Sequence, residues 1–413
     1  MSTTEKHPRE LLCSAAPGTD RAARSVRGDP GGAPRPSVLT PRDVPLGGPR
    51  AMTVRRTLPQ RALSLIGPWC FLDHFGPDDV AATGGMAVPR HPHTGLATVT
   101  LLFEGQIDHI DSTGFSNTVR PGEVNLMIAG RGVSHSEFST ASTTVLHGVQ
   151  LWYALPEAER FGAPASQHHV APLVDIGGAA VRTYLGRLAG DGPSSPIATR
   201  TPTLAAEILL PAREHVELAL DPTFEHGLLV DTGTARVGMD VGELAGVGTR
   251  SGLGTGTGTG MDGNGAVDLP ADHLAHIAEG TRALSIDAGP EPTRLILLGG
   301  PPFPEEIVMW WNFVGRSHEE IARFRAQWQR EIGREDPAAE PETTEASATE
   351  SWATRPRTPP PETLPATPTD AALFGPFPED TPAPLPAPTL PNARITPRRQ
   401  PRRSADPHEG DPR

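Results

Sequence analysis

Apolar and polar positions alternate in short runs separated by Gly and Pro. Thr98-Val99-Thr100-Leu101-Leu102-Phe103 is β-branched and apolar, and Glu104-Gly105 ends it. Residues 106–111 extend the pattern to a turn at Ser112-Thr113-Gly114, and Pro121-Gly122 opens the run at 123–128. Gly130-Arg131-Gly132 then bends the chain before His135, and residues 146–153 supply a run that closes the set. Short extended segments with Gly and Pro at the corners predict a small antiparallel barrel. A second series, between Val181 and Gly300, includes residues 204–210, 227–230 and 294–298. Helical spacing appears near the end, where Ile321, Phe324 and Trp328 share a face behind the capping box Ser317-His318-Glu319-Glu320. Gly333 stops that helix. The expected fold is all-β: two tandem jelly-roll barrels with a short C-terminal helix.

The boundaries follow from where the pattern fails. Residues 1–48 carry Pro, Gly, Arg and Ser without periodicity and are expected to be a disordered N-terminal tail. The first barrel is expected over 49–165, a linker over 166–180 and the second barrel over 181–300. Within the second barrel, 248–265 is a Gly/Thr/Ser loop. Its Gly258-Thr259-Gly260-Met261-Asp262-Gly263 matches a dinucleotide fingerprint by letter only, with no strand before it and no helix after. A closing segment and helix fill 301–334, and a Pro/Ala/Thr/Glu tract runs over 335–413. With 47 Pro, 44 Gly and 5% aromatic residues, much of the chain cannot bury a core. Removing the tract beyond Glu335 is expected to leave stability unchanged, because it lacks the apolar residues that offset ordering entropy.

The chemistry lies in the first barrel. His91-Pro92-His93 and His135-Ser136-Glu137 have the forms H-x-H and H-x-E. Alternate strand residues share a face, so each pair converges while its middle residue points away. Two facing strands of this kind give three imidazoles and a carboxylate. That set suits a borderline divalent metal, iron(II) first, with nickel, manganese, zinc and copper as competitors. A hydrogen-bonded core histidine is the competing reading of either pair alone. Burying four unpaired polar groups is costly, which favours a shared metal. His147 either points inward near the metal or is a packed core residue, with the second preferred, and the adjacent His168-His169 face opposite ways and make a poor metal pair.

At these residues the chain resembles the pirins, a branch of the cupin superfamily. The matching pieces are Phe71-Leu72-Asp73-His74-Phe75-Gly76-Pro77, His91-Pro92-His93-Thr94-Gly95, Asp111-Ser112-Thr113-Gly114, Arg120-Pro121-Gly122-Glu123-Val124 and Ala129-Gly130-Arg131-Gly132-Val133-Ser134-His135-Ser136-Glu137. The resemblance implies two cupin barrels, with iron in the N-terminal one only, held by His91, His93, His135 and Glu137. It implies quercetin 2,3-dioxygenase-type ring opening of a flavonol-like substrate, with Glu137 taking the substrate's hydroxyl proton. It also implies a second class of function: a non-enzymatic metal- or redox-responsive regulator that binds a transcription factor or metabolic enzyme. Ala97 stands where many pirins keep a Glu, so the tuning of the metal is expected to differ. Asn125-Leu126-Met127 replaces the family's usual Gln-Trp-Met, so substrate preference is expected to differ too.

The net charge of −13 argues against nucleic acid as the main partner. The basic run at 398–403 reads as a solvated tail. Only Cys13 and Cys70 are present, which excludes a disulfide framework and suits a reducing cytoplasm. No stretch is apolar enough to span a membrane, and the chain is expected to be cytoplasmic.

Overall fold

The computed structural model describes residues 35–46, 52–240, 265–334 and 372–397. The strands of the first half are β1 (Ser37–Leu39), β2 (Arg42–Leu46), β3 (Met52–Leu58), β4 (Trp69–Asp79), β5 (Ala87–His93) and β6 (Leu96–Glu104). They continue as β7 (Ile107–Asp111), β8 (Ser116–Val119), β9 (Glu123–Ile128), β10 (Val133–Ser139), β11 (Val145–Ala154) and β12 (Ala165–Val170). A one-turn helix α1 (Val80–Thr83) joins β4 to β5. The second half holds β13 (Val174–Ile176), β14 (Ala179–Leu185), β15 (Leu204–Leu210), β16 (His215–Ala219), β17 (Glu225–Thr232) and β18 (Thr234–Asp240). After it come β19 (Val267–Pro270), β20 (Leu274–Ile277), β21 (Ala283–Ala288), β22 (Thr293–Gly300), β23 (Val308–Trp310), β24 (Phe313–Gly315) and the helix α2 (His318–Glu331).

The two halves repeat one topology. A seven-stranded sheet, β12-β9-β6-β11-β4-β3-β2, faces the four-stranded β5-β10-β7-β8. In the second half β1-β20-β17-β22-β15-β14-β13 faces β16-β21-β18-β19. Each pair of sheets closes one jelly-roll barrel, as the run pattern predicted.

Alternation along β6 shows where each face goes. Ala97, Val99 and Leu101 join Val149, Leu151, Leu229, Ile296 and Leu298 in a core shared by both halves. The large sheets therefore pack back to back. Because their central strands are buried on both faces, they read as nearly unbroken apolar runs. The second barrel fills its own interior with aliphatic side chains, among them Val216, Leu218, Val237, Leu284 and Ile286. Full burial of such a residue stabilises by about 1.5–3 kcal/mol relative to exposure.

Three boundaries need correction. Residues 37–46, expected in the N-terminal tail, form β1 and β2, and β1 pairs with β20 of the second barrel. The expected linker contains β12, which pairs with β9 of the first barrel, and β13, which pairs with β14 of the second. Both are short edge strands, too brief for alternation to reveal them.

The third concerns the C-terminal tract. Residues 372–397 pack on the closing helix, with Phe374, Ala387 and Ile395 buried beside Trp310, Trp311, Phe313, Ile321 and Trp328. Trp328 Nε1 donates to Leu385 O, and the Phe374 amide donates to Glu331 Oε2. Three buried apolar anchors spaced widely among prolines give no periodic signal, yet they pack into the cluster formed by α2 and Trp310 to Phe313. The 248–264 loop, the 398–403 basic run and Cys13 lie outside the described residues. Ser317 caps α2 as expected, accepting from the Glu320 amide. No helix among the described residues is long and apolar enough to cross a membrane.

Candidate metal centre

β5 and β10 run antiparallel across the mouth of the first barrel, with His135 opposite His91 and Val133 opposite His93. The register shifts between His135 and Glu137, which comes to lie opposite Val88. All four side chains point inward and are at most 1% exposed. Ligand atoms of His91, His93 and His135 lie within 4.8 Å of one another, and His93 Nε2 is 3.1 Å from His135 Nε2. Glu137 belongs to an overlapping group with His135 and His109. The structure thus brings all four sequence-predicted residues to one place, with His135 common to both groups.

Backbone carbonyls fix two of the rings. His91 Nδ1 lies 2.8 Å from Pro89 O, and His93 Nδ1 lies 3.1 Å from Asn312 O. A carbonyl can only accept, so each Nδ1 carries the proton and each Nε2 turns its lone pair to the centre. His91 Nε2 is buried and has no hydrogen-bond partner among the described residues. Burial pushes the His91 imidazole down to about 4. His93 and His135 lie well below their ordinary value, by burial first and then by neighbouring histidines. Two imidazoles with their Nε2 lone pairs fixed towards the centre, with His135 Nε2 at 3.1 Å from one of them, fit a metal of the borderline class.

Behind them the interior is polar. Thr98, Thr100, Asn125 and Gln150 are buried on the inner face of the large sheet. The Thr100 hydroxyl stands 3.1 Å from Glu137 Oε1 and 2.9 Å from Gln150 Oε1. Trp152 stacks on Phe71 at 4.1 Å and presents its ring to His93 at 5.1 Å. Of the departures from the family pattern, Ala97 and Leu126 sit in the inter-barrel core, away from the centre. Asn125 is the departure buried on the inner face, where its Oδ1 accepts from Asn117 Nδ2, so a change at 125 reaches the barrel interior, whereas one at 97 does not.

Sequence reasoning missed His109. Its Nδ1 is 3.4 Å from His135 Nδ1, and its Nε2 is 3.3 Å from Asp111 Oδ2. Burial opposes the charge of Asp111, but His109, Ser166 and Thr113 hold its carboxyl below the usual range. The signal was present, since His109-Ile110-Asp111 is a third pair of alternating ligand-type residues on an adjacent strand. His147 is buried but faces the second barrel, where it meets His74 and Asp231. His168 pairs with Glu123 at 3.1 Å on the edge strand, remote from the centre. Ser134 turns away from the face that carries His135 and Glu137 and donates to Phe374 O.

Two barrels back to back, one lined with histidines, define a bicupin protein with a candidate metal centre in its first half. The family model for pirin matches residues 51–153, and that for the pirin C-terminal cupin domain matches 205–332. The chain belongs to the pirin family. A Pseudomonas aeruginosa protein provisionally named quercetin 2,3-dioxygenase is 39% identical over 292 residues, spanning 70% of this chain and 82% of its own length. Human pirin is 28% identical over 274 residues, spanning 65% of this chain and 84% of its own. A crystal structure of quercetin 2,3-dioxygenase from Acinetobacter baumannii superposes with a TM-score of 0.62 at 29% identity, covering 80% of this chain and 97% of that one.

Proposed function

We propose that this chain is a metal-dependent dioxygenase of the quercetin 2,3-dioxygenase type, with a divalent metal held by His91, His93, His135 and Glu137. The observation that carries the reading is the trio of buried imidazoles whose ligand atoms converge within 4.8 Å, two of them with Nε2 held unprotonated by carbonyl anchors, with Glu137 in an overlapping group. Iron(II) is the first choice, and nickel, manganese, zinc and copper suit the same mixed N/O set. When bound, the metal supplies a Lewis-acid site at which a flavonol oxygen and O₂ can be brought together. The protein's own part is orientation and proton transfer. Carbonyl anchors at Pro89 and Asn312 keep two lone pairs aimed at the ion. Glu137, steadied by Thr100, takes the proton of the flavonol hydroxyl, so that the electron-rich enolate carbon can react with O₂. Trp152 and Met127 offer apolar contact for aromatic rings. The names of the relatives support this substrate class.

Near-complete burial of the four side chains favours a second reading. A metal closed off from solvent suits a regulator whose metal state is read by a protein partner. One assay separates them: O₂ consumption and carbon monoxide release with quercetin, comparing metal-loaded and metal-free protein. Turnover that depends on the metal supports the enzyme. Stoichiometric metal without turnover on any flavonol supports the regulator.

A further inference from the structure

A second cluster of ligand-type side chains lies between the barrels, on the face of the large sheets opposite the first centre. His74 comes from β4, His147 from β11 and Asp231 from β17, all on central or near-central strands. They are 1%, 5% and 4% exposed. Their ligand atoms lie within 4.8 Å of one another. His74 Nε2 and His147 Nε2 both aim at Asp231 Oδ1, at 2.6 and 2.7 Å, and stand 3.3 Å from each other.

We propose that His74, His147 and Asp231 form a second divalent-metal site, of the zinc class, that joins the two barrels. Two nitrogens each bonded to one tetrahedral zinc stand about 3.3–3.4 Å apart, which is the separation of the two imidazoles here. A bound ion would hold Asp231 Oδ1 about 0.6–0.7 Å farther from them than it now sits. Two imidazoles and a carboxylate are a three-ligand set that leaves a position for water. The outer contacts orient His74 and Asp231, with Arg55 also near His74 Nδ1 at 3.4 Å and paired with Asp272. His74 Nδ1 lies 3.0 Å from Asp272 Oδ1, a carboxylate–histidine arrangement that orients the ring and raises the basicity of the ligating nitrogen. Asp231 keeps its second oxygen on Arg294 at 3.1 Å, so Oδ1 alone is offered to the ion. Phe103 closes the side of His147 with its rings at 5.1 Å.

The alternative occupant is a proton on each Nε2, both donated to one carboxylate oxygen. Zinc binding would displace those protons, and it would cross-link β4 and β11 of the first barrel to β17 of the second.

The test uses the full-length protein with the first centre disabled by His91→Ala/His93→Ala. The protein is stripped with chelator, reloaded with zinc, dialysed and assayed for metal and for thermal unfolding. About one zinc per chain should remain, and it should raise the unfolding temperature. Adding Asp231→Asn should abolish both effects. If that variant does not fold, His147→Gln on the same background decides, because it leaves Asp231 paired with His74 and Arg294. Absence of zinc from the His91→Ala/His93→Ala protein overturns the proposal, as does zinc that survives Asp231→Asn or His147→Gln. Either result leaves protons as the occupants.

Discussion

The two barrels share a topology strand for strand, yet they fill their interiors with opposite chemistry. On the small sheet of the second, Val216, Leu218, Leu284 and Ile286 turn inward into a closed aliphatic core. The corresponding strands of the first turn His91, His93, His135 and Glu137 inward. Apolar filling contributes stability, whereas buried polar groups detract from it unless something satisfies them. The first barrel therefore leans on its surroundings: the back-to-back core, the closing helix and the segment at 372–397. The fold is used twice, once around an aliphatic filling and once around a polar one.

The difference should be most visible in paired substitutions. Leu284→Ala in the second barrel is expected to cost about 2–5 kcal/mol in urea unfolding and leave metal content unchanged. His135→Ala in the first should do the reverse: bound metal falls at least tenfold on elemental analysis, while the metal-free protein loses little stability. Equal stability losses from both would mean that the histidines are structural core and not ligands.

Truncation after Arg334 comes next in size. The strap buries Phe374 against Trp328 and holds Arg90 and Ser134, the immediate neighbours of His91 and His135. Loss of one such aromatic contact costs about 3–5 kcal/mol, so the truncated protein should melt several degrees lower and bind metal more weakly. Unchanged melting would restore the expectation, drawn from composition alone, that the tract has no structural part.

Glu137→Gln separates binding from chemistry within the first barrel. It keeps an oxygen near the metal but removes the charge and the proton acceptor. Metal should be partly retained, and flavonol turnover should fall about a hundredfold or more. Turnover equal to the parent's would remove Glu137 as the base.

Acid sensitivity offers a third contrast. In the metal-free protein, unfolded imidazoles take up protons near 6.5, whereas folded His91 resists until about 4. The unfolded state then binds more protons, so stability is intact above 6.5 and declines as the pH falls towards 4. Each such histidine contributes a slope of up to about 1.4 kcal/mol per pH unit. His74 works in the other direction: its value is raised by Asp231 and Asp272 against the opposing effect of burial, so its contribution is lost as pH rises. Denaturation of the His91→Ala/His93→Ala/His135→Ala protein between pH 7 and 4 should show the shallower acid limb. An identical limb would show that these rings are not held neutral.

Most of this arrangement was legible in the chain. Alternation in β6 and β10 marked the barrel, and H-x-H with H-x-E marked the centre, because both are local patterns of period two. What escaped depends on contacts distant in sequence. His74 stood only as part of a matching motif and His147 as a packed core residue until Asp231, more than eighty positions beyond His147, was folded against them. β1 is three residues long and finds its partner in the other barrel. The anchors Phe374, Ala387 and Ile395 are too sparse for any window to register, and only the groove beside α2 gives them meaning.

The smallest expected effect tests how the strap reaches the metal face. Ser134 lies next to His135, but its hydroxyl points outward, accepting from Arg90 Nε at 2.9 Å and donating to Phe374 O at 2.8 Å. Ser134→Ala removes one group from a buried network without touching a ligand. Leaving the Phe374 carbonyl and the Arg90 guanidinium short of a partner should cost about 1–2 kcal/mol in denaturant unfolding. Metal content should stay at the parent's level, since the inward face of β10 is unaltered. A fall in bound metal comparable to that of His135→Ala would mean that the strap sets the ligand geometry itself. Retained metal with lowered stability would mean that it only steadies the sheet on which the ligands stand.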